Sequence, residues 1–176
     1  MKKARKGFTL VELLIVIGII GILGAMGIIG GQQATDTAKA VSIADNMSKI
    51  STAMMTYYAW NSDTIDKNGA KVADVVKGVN AYVDATLVAA SAIQEGQYAV
   101  AITKDDDKAA KWYVVYKLLD AEATEGRKIG AILANRATRM KLYKLADGKA
   151  IADLANDGAT ALEAYDGGDQ VFMLVR

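Results

Sequence analysis

Chemistry needs side chains of suitable type at suitable spacing, and this 176-residue chain lacks most of them. It has no histidine and no cysteine. That removes the commonest general base, the commonest transition-metal ligand, thiolate nucleophiles, disulfides and every Ser-His or Cys-His pairing. Three groups remain to be weighed. Glu12 is the only charged residue between Phe8 and Ile29, and a carboxylate among Leu10, Val11, Leu13 and Leu14 wants a partner. At the centre of a membrane helix it would cost about 2.5–3.5 kcal/mol; towards a helix end the cost falls. Asp105, Asp106 and Asp107 offer oxygen ligands of the kind calcium takes. Lys104 and Lys108 flank them and no glycine-bearing calcium loop surrounds them, so a solvated hairpin turn is the favoured reading. Arg127, Lys128, Arg136, Arg139, Lys141 and Lys144 fall in residues 127–146 without an acid. DNA is the less favoured partner for that stretch, because no aromatic stacking platform accompanies it. A solvated face, or a complementary contact with another copy, fits better. No metal, no cofactor and no enzyme activity is expected.

The elements that must carry these groups begin with residues 8–29, a run of 22 whose only charge is Glu12. About 20 apolar residues are enough for a helix to cross a bilayer. Residues 1–7, MKKARKG, hold Lys2, Lys3, Arg5 and Lys6 and no acid. Such a basic segment stays on the cytoplasmic side and leaves the rest of the chain across or beyond the membrane. A secretory signal has a shorter apolar core with its cleavage site after it. Here the break in composition comes before the apolar run, at Gly7–Phe8. A plain membrane anchor is the simplest alternative.

The segment KGFTLVELLIVIGIIGIL, Lys6–Leu23, closely resembles the class III signal of type IV prepilins. The resemblance covers about residues 1–31. It implies cleavage after Gly7 by a membrane-bound prepilin peptidase, methylation of the new amine of Phe8, and retention of the apolar helix. It also implies that Glu12 pairs with the N-terminal amine of a neighbouring subunit and so sets the axial register of a filament. The implied partners are further copies of the chain and an inner-membrane assembly platform. The precursor would sit in the cell membrane and then move to an extracellular pilus. A pseudopilin of a type II secretion or DNA-uptake system carries the same kind of N-terminus. A membrane-anchored extracytoplasmic binding domain is the reading from another class. Adhesion, twitching motility, DNA uptake and secretion are not distinguished.

No proline interrupts residues 8–60, and at 1.5 Å per residue one helix there would reach about 80 Å, half of it standing clear of the head. Ile43, Met47, Ile50, Met54 and Tyr57 are spaced 4, 3, 4 and 3, which is one apolar stripe suited to packing on a sheet. Many type IV pilins have a helix-breaking proline where this chain has Ile29. Instead it has Gly18, Gly21, Gly24, Gly27, Gly30 and Gly31. A helical glycine costs about 0.5–1 kcal/mol relative to alanine. Gly21, Gly24, Gly27, Gly30 and Gly31 are therefore expected to form the soft part of the helix. Two readings stand together: close helix packing in a fibre, and local melting around residues 24–31 in the assembled filament.

The head reads as α+β, a pilin-like arrangement of a long N-terminal helix on a small antiparallel sheet with extra helices. The polar segment 61–70 is expected to be a turn-rich connection. Residues 70–94 are expected to form one or two helices. Strands are expected at 97–103, 111–118, 140–145 and 169–176, with helices at 120–138 and 150–156. The expected organisation is a leader at 1–7, an anchor and filament-core helix at 8–31, an amphipathic continuation at 32–60 and a head at 61–176. Asn46-Met47-Ser48 matches a glycosylation sequon by pattern alone and carries no weight. Loss of residues 1–7 would lower the bases from 21 to 17 against 20 acids, a net charge of −3.

Overall fold

The structure is a computed structural model that describes residues 8–68, 71–105, 108–119, 127–147, 149–151 and 162–176. Two compact units are distinguished, residues 1–38 and 39–176. Helix α1, Leu10–Asn68, runs through the boundary in its backbone hydrogen bonding. The second unit also holds α2 (Val72–Val79), β1 (Val88–Ala89), β2 (Tyr98–Asp105), β3 (Lys108–Lys117), α3 (Arg127–Ala134), α4 (Ala137–Met140), β4 (Leu142–Leu145), β5 (Leu162–Ala164) and β6 (Gln170–Leu174). A 3-10 turn occupies Ala90–Ala92.

The strands form one mixed six-stranded sheet in the order β1-β2-β3-β6-β4-β5. β1 runs parallel to β2, and the other neighbours are antiparallel. β2 and β3 are hydrogen-bonded from Tyr98↔Tyr116 to Asp105↔Lys108, with an irregularity between Thr103 and Asp105. Period-2 alternation sends side chains to two cores. Val100, Trp112, Val114, Tyr116, Val171 and Met173 join the α1 stripe, whereas Ala99, Ala101, Tyr113, Val115 and Phe172 face the other way with Ala90. The sheet thus leans on α1 through one face, as its alternation requires.

Three boundaries differ from the sequence expectation. Residues 61–68 continue α1 instead of forming a connection; the Asn61 amide donates to the Tyr57 carbonyl 2.9 Å away, and Ile65 packs on the core. Within 70–94, helix ends at Val79. Asn80 then reaches forward, its Nδ2 donating to the Leu87 carbonyl (3.2 Å) and its Oδ1 accepting from the Leu87 amide (2.8 Å). That side chain offers the backbone a partner outside a helix, so the next six residues form a loop. β5 is an unexpected strand, only three residues long, seated through Lys144↔Glu163. Residues 120–126 and 152–156, parts of two expected helices, lie outside the described residues. The remainder of the first is split into α3 and α4.

Candidate assembly site on the N-terminal helix

Thr9 starts α1. Its carbonyl accepts the first helical hydrogen bond, from the Leu13 amide at 3.2 Å. The Glu12 amide donates to the Thr9 hydroxyl (3.3 Å), while the Thr9 amide (2.8 Å) and hydroxyl (2.7 Å) both donate to Glu12 Oε2. This reciprocal arrangement satisfies helix-end donors that would otherwise lack partners. Thr9 was not among the expected site residues. The signal was present as T-x-x-E directly before an apolar run, the pattern of a capping box. The box occupies Oε2, and no described group contacts Oε1. Glu12 therefore has one oxygen committed to its own helix and one available to another partner.

Phe8, next to this cap, is 87% exposed. Gly7, the other half of the expected cleavage pair, lies outside the described residues. Leu10–Gly27 is an 18-residue helical span long and apolar enough to cross a membrane, with none of it buried. Leu13, Leu14, Ile15, Val16 and Ile17 are exposed in unbroken succession, so every face of the helix is apolar. A Cβ built on Gly18, Gly21, Gly24, Gly27 or Gly31 would meet nothing within 4 Å. Among the described residues no contact requires glycine at those five positions. Gly30 is helical.

Ile43, Met47, Ile50 and Met54 are between 0% and 6% exposed in the core, and Tyr57 packs partly buried against it. A Cβ on Gly78 would overlap the Tyr57 ring, so α2 approaches α1 closely at that point. The Arg176 guanidinium lies 3.6 Å over the Tyr58 ring, which meets Trp112 edge-on at 5.6 Å. This group fastens the residues after β6 to α1.

The remaining candidate groups fall elsewhere in the second unit. Asp105 ends β2, while Asp106 and Asp107 lie outside the described residues. Among the described residues no cluster of three carboxylates could hold a metal ion. In the basic stretch Arg139 and Lys141 are exposed, and Lys144 bridges Glu163 (3.3 Å) and Asp166 (3.0 Å). Hydrogen bonding to Lys144 holds the Asp166 carboxyl below its ordinary range. Tyr165 is buried beside this pair and donates to the Gly168 carbonyl at 3.1 Å. Burial, then the charges of Asp169 and Asp166, push its phenol well above the ordinary tyrosine value. Asn46 of the sequon is half-buried and donates Nδ2 to the Tyr98 hydroxyl at 3.2 Å, so its amide is engaged inside the fold.

With this geometry in place, comparison with known families adds one finding. Residues 2–28 match the prokaryotic N-terminal methylation motif. The match spans the basic segment, the Thr9–Glu12 cap and the exposed apolar helix. It supports a type IV pilin-like prepilin signal, and hence a pilin-like or pseudopilin precursor held in the membrane by its N-terminal helix. The motif belongs to a structural, not an enzymatic, class of protein. Searches of curated proteins and of solved structures return no match to the chain.

Proposed function

We propose that this chain is the precursor of a type IV pilus subunit. It is inserted into the membrane through α1, cleaved between Gly7 and Phe8 by a prepilin peptidase and methylated on Phe8. An assembly platform then extracts it into a filament built by packing of α1 helices. The observation that carries this reading is the exposed apolar span Leu10–Gly27, opened by the Thr9–Glu12 cap and lying inside the matched motif. An apolar surface of that extent needs either lipid or other helices around it. Glu12 Oε1 then accepts from the Phe8 amine of a second copy, while Oε2 stays with Thr9. Glycines without an intrachain role allow helices to approach and the segment to loosen as it leaves lipid.

Glu12→Gln separates the two duties of Glu12. Glutamine also completes a capping box but carries no charge for an amine. Membrane insertion should be retained and sheared filaments lost, as read by electron microscopy and immunoblotting of the sheared fraction. Normal filament yield would show that capping alone suffices. Mass spectrometry of the mature N-terminus should find methylated Phe8 as the first residue; an intact Met1–Gly7 leader would favour a simple membrane-anchored domain. Long fibres containing the chain distinguish a pilus subunit from a pseudopilin of a secretion or DNA-uptake system, which remains in short cell-bound assemblies.

A further inference from the structure

A cleft of about 490 Å³ opens in the second unit between α1 and the loop that follows α2. Its volume falls within the ordinary range for small-ligand sites. Asn46, Lys49 and Ile50 line it from α1, Tyr82 and Asp84 from the loop, and Tyr98 from β2. The walls are built before any ligand arrives. The Asn80 amide closes the loop at Leu87, and the Tyr82 amide donates to the Val79 carbonyl at 2.9 Å. Ile50 is 2% exposed and supplies an apolar floor. The Tyr98 ring is fixed against Tyr116, with centroids 4.7 Å apart. Such prior ordering lowers the entropic cost of binding.

The polar groups have unused capacity. Tyr98 oxygen accepts from Asn46 Nδ2. Among the described residues nothing accepts the Tyr98 proton and nothing donates to Asn46 Oδ1. Burial raises the Tyr98 pKa, so the phenol stays a neutral donor around pH 7. Tyr82 is 56% exposed, leaving ring surface for contact. The charges restrict the guest. Lys49 Nζ is engaged by Asp45 Oδ2 at 2.7 Å, so no unmatched positive charge awaits an anion, and the Asp84 carboxylate disfavours one further. What remains is an aromatic surface, an apolar floor, a phenol donor, an amide acceptor and the Asp84 carboxylate. Those groups complement a molecule with an apolar C–H face and a rim of neutral hydroxyls.

We propose that this cleft is a binding site for a neutral saccharide, with Tyr82 contacting the ring face and Asp84, Asn46 and Tyr98 taking its hydroxyls. The test uses the full chain in amine-oxide micelles, since glycoside detergents would compete, applied to immobilised neutral, sialylated and sulfated saccharides. At least one neutral saccharide should be retained and displaced by its free form. Tyr82→Ala and Asp84→Asn, both at exposed positions, should each weaken retention at least tenfold with the melting temperature unchanged. No retention at millimolar saccharide, retention of anionic saccharides alone, or binding indifferent to both substitutions would overturn the proposal. Phe8 processing is measured separately, so a processed chain that binds no saccharide fails here without touching the filament reading.

Discussion

Between Leu10 and Gly27, α1 exposes apolar side chains on every face; between Ala40 and Met54 it buries a single stripe. In the latter stretch Ala40, Ile43, Ala44, Met47, Ile50, Ala53 and Met54 are all at most 8% exposed. In the former, Leu13, Leu14, Ile17, Ile20 and Leu23 are between 59% and 62% exposed. Helix propensity cannot separate the two stretches, because both form helix. The distribution of apolar residues around the axis does separate them. A stripe finds its partner within the chain and is consumed in folding the head. A continuous apolar jacket has no internal partner, and its driving force is reserved for lipid or other copies. The glycines obey the same division. Gly78 faces the Tyr57 ring closely, while Gly18 to Gly27 face open space.

Substitutions can break or sharpen this contrast. The largest effect is expected for Met47→Ala, which removes a fully buried side chain and should cost the head about 2–5 kcal/mol in denaturant unfolding. Leu14→Ala in the exposed stretch should leave that unfolding free energy within about 0.5 kcal/mol. Similar losses from the two would refute the division. Next comes Gly78→Ala, which forces its methyl against Tyr57 and should cost about 1–3 kcal/mol. Gly24→Ala has the opposite sign. With nothing near its Cβ it should stabilise the helix by about 0.5–1 kcal/mol, read as slower backbone amide exchange. Slower filament assembly in the same variant would show that softness is used.

The smallest effect concerns Lys144 and Asp166. Hydrogen bonding lowers the Asp166 pKa on folding, so its contribution exists above the ordinary carboxylate range and is lost as pH falls through the folded value. Bonding to Asp166 raises the Lys144 pKa, so its contribution holds below the ordinary lysine value and is lost as pH rises through the folded one. Melting temperature should therefore be flat around neutrality from this pair and fall on the acid side. Asp166→Asn should flatten that acid slope slightly.

Much of α1 was legible because its signals are local. A 22-residue run with one charge, and a 4-3-4-3 stripe ending at Tyr57, state their period without reference to the rest of the chain. β2, β3 and β6 were legible for a related reason, each being a short apolar run rich in aromatic and β-branched residues. β5 was not, since three residues of Leu-Glu-Ala carry almost no pattern and depend on β4 for their identity. The loop after α2 was read as helix because Val79, Tyr82 and Val83 keep a helical spacing, while the bond from Asn80 to Leu87 acts across seven positions. The Thr9–Glu12 cap was overlooked because Glu12 was considered for its charge alone. The saccharide cleft needed three elements brought together, which no spacing in the sequence announces.

The place of β6 in the sheet has a consequence for timing. It is the last of the six strands in chain order, yet it lies between β3 and β4 and joins the two halves of the sheet. Until residues 170–174 are available, β1–β2–β3 on α1 and the β4–β5 pair lack the strand that joins them, and a two-stranded pair such as β4–β5 is marginal alone in water. The head therefore completes its fold only after nearly the whole described chain has emerged. If the chain crosses a membrane as the proposed precursor, its head would stay extensible during passage and lock into shape on arrival.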